Sequence, residues 1–536
     1  MLRIDAIKTE PGASRDVLQK KAAAALRLRP GDIRSLTVLR RSIDAREGVR
    51  FVWSVAVEVA SEDAVARRAL GRNISRYAPF DPLSLLPPPL VAPPEPRPVV
   101  VGAGPAGLFC ALTLARCGAK PLLLERGRAV EQRRCDVEQF WQTGRLDPRS
   151  NVQFGEGGAG AFSDGKLNTG TRDPRHALIL SDFVRFGAPE EILYDAKPHI
   201  GTDRLYTVLQ NLRRELLRLG AQVCFEHLLC GIESDGGALS ALQIESPEGK
   251  YTLPATHLVL APGHSARDTF ALLHRLGVPM EPKPFAVGVR IEHLQSAVDA
   301  AQYKEAAGNP ALPPSSYKLA CHTRDGRGVF SFCVCPGGQV VAAASEEGRA
   351  VTNGMSEFAR DGTNINGGLL VSVTPEDFGG AAGDPLAGVA FQRRLEEAAF
   401  RAGGGDFSAP AQRVGDFLAG QPSTAPGTVL PSYRPGVRWG DLGECLPAFV
   451  CDALREALPE LGKKLRGFDD PDAVLTAVES RSSSPLRILR ESDCRSALRG
   501  LYPCGEGAGY AGGIMSAAAD GIRCAEAVLE QLSRKE

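Results

Sequence analysis

Long apolar runs are missing from this chain of 536 residues. None approaches the roughly 20 residues that a membrane-crossing helix needs, so a membrane role is not expected. The opening segment MLRIDAIKTEPG lacks the apolar core of a secretory signal, and a cytoplasmic protein is expected. No sign of charge predominates either. Lys plus Arg and Asp plus Glu both number 63, so no overall field draws the molecule to nucleic acid or anionic lipid. The thirteen cysteines contain no Cys-x-x-Cys pair, and with the scattered histidines they form no cluster of zinc spacing, so no metal is expected. A disulfide framework is not expected in so long a chain, and most thiols read as small buried apolar residues. What is present, 43% hydrophobic and 24% charged residues, is the composition of a globular protein large enough for two or three domains.

The first 82 residues read as a small α+β unit. LRIDAIKT alternates like a strand, a helix is predicted from Asp16 to Leu28, and IRSLTVLRRSID and VRFVWSVAVEVA complete a β-α-β-β order. Residues 1–98 carry 17 Lys/Arg against 11 Asp/Glu. That modest excess lacks interleaved aromatics, so a solvated face is favoured over a nucleic-acid or acidic partner. The proline-rich stretch at 83–97 cannot join a helix or a central strand and reads as an extended linker. Beyond it, helix-like and strand-like segments alternate in the α/β manner. In one of them, Leu205, Leu209, Leu212, Leu216 and Leu219 repeat at helical spacing, with Thr202 as a cap and Gly220 as the stop. Residues 285–380 shift to short alternating runs that imply a β-rich domain, and 390–403 and 447–479 read as helical.

The strongest chemistry lies in RPVVVGAGPAGLFCALTLARCGAKPLLLERG. A buried strand, VVV, runs into Gly102, Gly104 and Gly107. The first glycine allows the tight turn, the second a close approach of the backbone to a pyrophosphate, and the third close packing of helix on strand. The helix that begins at Pro105 and Ala106 points its free N–H groups at that pyrophosphate. Glu125, followed by Arg126, ends the next strand, where its carboxylate can accept both hydroxyls of an adenosine ribose and repel a 2′-phosphate. The same glycine pattern recurs at Gly155, Gly157 and Gly160 without a following apolar helix or a terminal acid, and it reads as a glycine loop instead.

Two further segments turn a dinucleotide site into one for FAD. YPCGEGAGYAGGIMSAAADG places Gly505 and Glu506 after an apolar run, and then Gly512, Gly513 and Ile514 at the start of a helix. This resembles the segment by which FAD enzymes of the glutathione-reductase-like class hold the ribityl chain and the flavin. Glu506 stands where that class more often has Asp. THLVLAPGHSA, with Ala261 and Gly263, is similar to the strand that closes the FAD domain in this class. With these, the stretches NVQFGEGGAGAFSDGKLNTG, KPFAVGVRIEH, FSFCVCPGGQVVAAASEEGRAVTNGMS and SSPLRILR resemble a family of bacterial FAD-dependent dehydrogenases, in which a small domain also precedes the FAD fold. The resemblance implies a Rossmann-like FAD/NAD(P)-binding fold at 98–284 and 485–536, and a β-rich substrate domain with a helical insertion at 285–484. It implies a cofactor but no particular substrate.

The glycine density of FGEGGAGAFSDGKLNTG is best explained by close approach to a ligand. Gly157, Gly158, Ala159, Ser163, Gly165, Lys166 and Leu167 are therefore cofactor-binding candidates. Lys166 is also a catalytic candidate, since its charge could stabilise the reduced flavin or pair with a phosphate. Cys333 is the second catalytic candidate. It stands two residues from Cys335 on a predicted strand, sharing a face, with Cα atoms about 6.6–7 Å apart, at or beyond the limit for a strain-free disulfide, so a redox-active pair is not expected, though one thiol could face the substrate pocket. Packing is the plainer role for both. Arg290, Arg481 and Arg487 could hold an anionic substrate, though solvation at the surface is the expected role of each. No second strand–glycine–helix unit follows. The expectation is hydride transfer between a small organic substrate and flavin N5. The alternatives are a non-catalytic or redox-sensing flavoprotein whose N-terminal domain binds a partner, and a flavin reductase with transient NAD(P)H.

Overall fold

The computed structural model describes residues 1–380 and 383–534. Its first unit is a four-stranded antiparallel sheet in the order Ile33–Asp44, Arg50–Val59, Leu2–Thr9, Ile74–Arg76. Helix Arg15–Leu26 covers one face, burying Leu18, Ala22, Ala23 and Leu26 against Ile4, Val55 and Val57. A further helix, Glu62–Ala69, and the short strand Ile74–Arg76 extend the β-α-β-β order. The edge strand does not end the contacts of this unit. Arg41 exchanges backbone hydrogen bonds with Tyr194 and Ala196, and its guanidinium grips Asp195 at 2.6 and 2.7 Å.

The proline-rich stretch opens with a 3-10 turn, Pro82–Leu85, and continues irregularly. It is not a free tether. Leu85, Leu86 and Leu90 pack against the core of the next unit, and the Leu90 N–H donates to the Cys117 carbonyl at 2.9 Å.

The next unit is built on a five-stranded parallel sheet in the order Leu501–Pro503, Leu258–Leu260, Val99–Val101, Leu122–Leu124, Gln222–Cys224. The three central strands of this order are almost wholly apolar, as parallel strands covered on both faces must be. Helices Pro105–Arg116 and Ile514–Ser533 pack together on one face. There Gly521 lets the chains touch, since a Cβ on it would lie 2.0 Å from the Ala106 carbonyl oxygen. The C-terminal strand and helix thus return across the chain to complete a sheet begun some 400 residues earlier.

A third unit holds a seven-stranded mixed sheet in the order Ala320–His322, Gly328–Cys335, Asn364–Val373, Phe285–Leu294, Val474–Glu479, Ala409–Arg413, Val437–Trp439. Its central strand, Phe285–Leu294, buries nine of ten residues. Helices Ala387–Ala402 and Ala448–Lys464 pack against its core. The helix predicted over 447–479 therefore stops at Lys464, and Val474–Glu479 is a strand with every residue buried. An apolar run buried on both faces carries no period that separates a strand from a helix. Among the described residues no helix is long and apolar enough to cross a membrane.

Candidate functional site

The cleft lies where the carboxyl ends of the parallel strands meet the underside of the mixed sheet, the position that open α/β sheets reserve for ligands. It encloses about 370 Å³. At its floor, Gly102 takes φ +100, and a Cβ there would meet the Ala261 carbonyl oxygen at 2.1 Å. A Cβ on Gly107 would meet the Gly102 oxygen at 1.8 Å, so that glycine serves helix-on-strand packing. Gly104 caps the helix, and the nearest atom to a Cβ there is the Gly158 Cα at 3.9 Å.

Glu125 lies at the strand end, buried, and also lines the cleft. Its carboxylate accepts hydrogen bonds from the backbone N–H groups of Ala103 at 2.7 Å, Gly127 at 2.9 Å and Gly155 at 3.0 Å. A carboxylate has about four acceptor positions, so about one is left for a ligand. Glu125 mainly ties the nucleotide turn to the glycine loop. Arg126 beside it is held by Asp268 at 3.0 Å and lies over the Phe154 ring at 4.4 Å.

The glycine loop folds over the floor as a 3-10 turn, Gly158–Phe162. Arg133 shapes it, a residue that sequence reasoning did not single out. Fully buried, its guanidinium donates to the carbonyls of Asn151, Val152, Glu156 and Gly158 at 2.6–3.0 Å. Burial pulls it down to about 10, still well above neutrality. Ser163 holds a turn, donating to the Gly160 carbonyl at 2.8 Å and accepting from the Gly165 N–H at 3.1 Å. Thr202 does not cap its helix, since Gly201 stands at the cap. The Thr202 hydroxyl instead donates to the Ser163 carbonyl at 2.6 Å.

The side wall comes from Gly512, Gly513, Ile514, Ala261, Gly263 and Glu506, which all line the cleft with Pro105, Ala106, Gly158, Ala159, Ser163, Lys166 and Cys333. Gly107, Gly157, Gly165, Leu167 and Gly505 stand behind it instead. The Gly505 N–H donates to Asp520 at 2.8 Å. His264, 3.4 Å from Glu506 through Nδ1, is another residue the sequence did not reveal.

The roof carries the largest surprises. Arg290 and Arg481, read as surface charges, are buried, and Arg487 is half-buried, with Glu281 as its partner at 3.2 Å. Arg290 pairs with Glu479 at 3.2 Å, and Arg481 grips Glu396 at 2.9 Å. Lys166 bonds the fully buried Asp164 at 2.9 Å, which Arg360 holds from the other side at 2.5 Å. Burial alone would push the Lys166 ammonium down, but the Cys335 and Asp164 groups beside it more than offset this, and it stays charged at neutral pH. Cys333 and Cys335 do not share the face of a regular strand. Pairing with Asn364–Val373 runs in register to Phe332↔Gly368 and resumes at Cys335↔Asn366, so one residue is extra. Cys333 lies in this bulge at φ +42. Elsewhere among the described residues, Cys504, Asp520 and Cys524 bring their ligand atoms within 4.8 Å of one another. Arg490 already supplies a cation there, 2.6 Å from Asp520 and 3.4 Å from the Cys524 sulfur.

The residues present fit FAD. A Cβ on Gly263, Gly512 or Gly513 would meet nothing within 4 Å, which leaves the wall open along the nucleotide turn and the C-terminal helix start. His264 Nε2, buried on this wall, has no hydrogen-bond partner in the protein. A floor of parallel strands, a glycine turn and a returning C-terminal helix place the protein among the FAD-binding proteins of Rossmann-like fold. Residues 97–133 match the FAD binding domain family, 284–482 the family of FAD-dependent protein, C-terminal domain-like, and 1–60 a domain of unknown function.

The narrower family follows from a relative in Clostridium beijerinckii, an uncharacterized protein 46% identical over 99% of both chains. The chain belongs to its family, and FAD is the cofactor. Among solved structures it is similar to a flavoprotein/dehydrogenase from Cytophaga hutchinsonii (13% identity, 82% and 79% of the two chains, TM-score 0.36). Another is the FAD-complexed glycerol-3-phosphate dehydrogenase of Bacillus halodurans (14%, 82% and 66%, TM-score 0.36).

Proposed function

We propose that the protein is an FAD-dependent oxidoreductase acting on a small organic substrate. The observation that carries this reading is that Lys166 from the glycine loop, Cys333 from the bulged strand, and Glu479 and Arg481 from a third segment line the same cleft as the nucleotide turn. When bound, the flavin supplies hydride exchange at N5. Lys166 places a fixed positive charge in the cleft, positioned by Asp164 and suited to negative charge that grows on reduction. Burial raises the Glu479 carboxyl and Arg290 beside it opposes this, so the pair sets the charge on this side of the cleft. Cytoplasmic residence belongs to the same proposal.

The test is anaerobic mixing of the purified FAD-bound protein with candidate metabolites, NADH and NADPH, following loss of flavin absorbance by stopped flow. Lys166→Met is expected to slow reduction about tenfold or more while FAD stays bound. Unchanged kinetics would remove that role. Bleaching by no metabolite, with a macromolecule retained on the N-terminal unit, would support a non-catalytic flavoprotein instead.

A further inference from the structure

We propose that Cys333 and Cys335 form a redox-active dithiol that exchanges two electrons with the FAD of this cleft, so that the substrates include thiols or disulfides. This rests on FAD occupying the cleft and names a substrate class for the proposed oxidoreductase. In a regular strand, cysteines two apart are held too far apart for an unstrained disulfide. The bulge departs from that geometry. Its extra residue and the left-handed backbone at Cys333 break the regular strand spacing between the two positions. Cys335 turns inward, its sulfur 3.3 Å from the Cys333 carbonyl oxygen. Cys333 lines the cleft in front of it.

The surroundings suit a thiolate. Lys166 Nζ lies 3.6 Å from the Cys335 sulfur, and Arg290 Nη2 lies 3.8 Å from it while donating to the Cys333 carbonyl at 3.1 Å. Cations close to a thiol are what make it reactive. The contact between the two thiols pulls Cys333 below the ordinary thiol range and pushes Cys335 above it. Cys333, which lines the cleft, is the member that a substrate can reach and is the nucleophile, while Cys335, buried behind it beside Lys166 and Arg290, is the partner that resolves it. Elsewhere burial simply raises the thiol, as at Cys117, pushed to about 11.

The chemistry balances. Two S–H groups lose two protons and two electrons as one S–S bond forms, and a flavin bound in the cleft would supply the two-electron, two-proton acceptor. In the other direction, the reduced pair opens a substrate disulfide by thiolate attack from Cys333. Cys335 then displaces the substrate thiol.

Two measurements test this. Anaerobic dithionite titration of the oxidised FAD-bound protein should consume four electrons per FAD, two for the flavin and two for the pair, and Cys333→Ser should reduce the total to two. Separately, the FAD-stripped protein is treated with diamide, alkylated and mapped by mass spectrometry. Cys333 and Cys335 should be recovered in one disulfide-linked peptide and the alkylated form only after reduction. Uptake of two electrons by the wild type, with both cysteines alkylated after diamide, would overturn the dithiol. Because the mapping needs no flavin, it reads the pair even if flavin bleaching shows no enzymatic turnover. Cys335→Ala serves as the second variant and carries the same expectation as Cys333→Ser.

Discussion

Glu156 shows how a single carboxyl can be drawn into the glycine loop at a cost. Its Oε2 accepts from the Val130 N–H at 2.9 Å and from Arg213 at 3.1 Å, while Oε1 is buried without a partner. Burial, against the pull of Val130, Arg213 and Arg133 and with Glu131 nearby, raises it from 4.5 to about 7. The native state therefore holds a proton that the unfolded chain gives up earlier. Stability from this group is full below about pH 4.5 and is lost as pH rises through about 7. Glu156→Gln should flatten that part of the profile by about 3 kcal/mol, read from urea midpoints at several pH values. A mutant profile parallel to the wild type would contradict it. Arg133, its neighbour, was illegible in the sequence for a plain reason. One arginine in a helix looks like a surface charge until five loop carbonyls are folded around it.

At the scale of elements, the glycines divide by what a side chain would strike. Gly107 would strike backbone, so any substitution there attacks the packing of helix on strand. Gly512, at the mouth of the C-terminal helix, is exposed and would strike nothing. Gly512→Val should leave the stability of the FAD-free protein, read from its urea midpoint, unchanged within about 0.5 kcal/mol. FAD binding, followed by quenching of flavin fluorescence, should weaken about tenfold or more. Equal loss of stability and affinity would show the position to be structural. These glycine turns were readable in the sequence because each is a local backbone requirement inside one strand–turn–helix unit. The strand Val474–Glu479 was not, because its partners Phe285–Leu294 and Ala409–Arg413 lie far away in the chain.

For the whole molecule, the joint between the nucleotide sheet and its roof is a buried charge network. Glu396, on helix Ala387–Ala402, receives Arg267 from the nucleotide unit at 2.7 Å and Arg481 from the roof at 2.9 Å. Burial opposes its ionisation, but the two guanidinium groups hold it far below the usual carboxylate range. Its contribution is present above the unfolded carboxylate pKa and is lost only in strong acid. Glu396→Gln leaves two buried cations short of charge and should cost about 3–5 kcal/mol, seen as a lower melting temperature. A shift no larger than that of an exposed substitution would refute the coupling.

What the sequence determined by itself is the nucleotide turn and its FAD partner segment. Those demands fall on neighbours in the chain, where a missing Cβ or a helix start is visible as a residue type. What only the tertiary structure decided is the roof. Arg290 and Arg481 are buried there, Lys166 keeps its charge, and the bulge turns Cys333 into the cleft. Each depends on electrostatics and close contact between segments far apart in sequence, and that information exists only once the chain has folded.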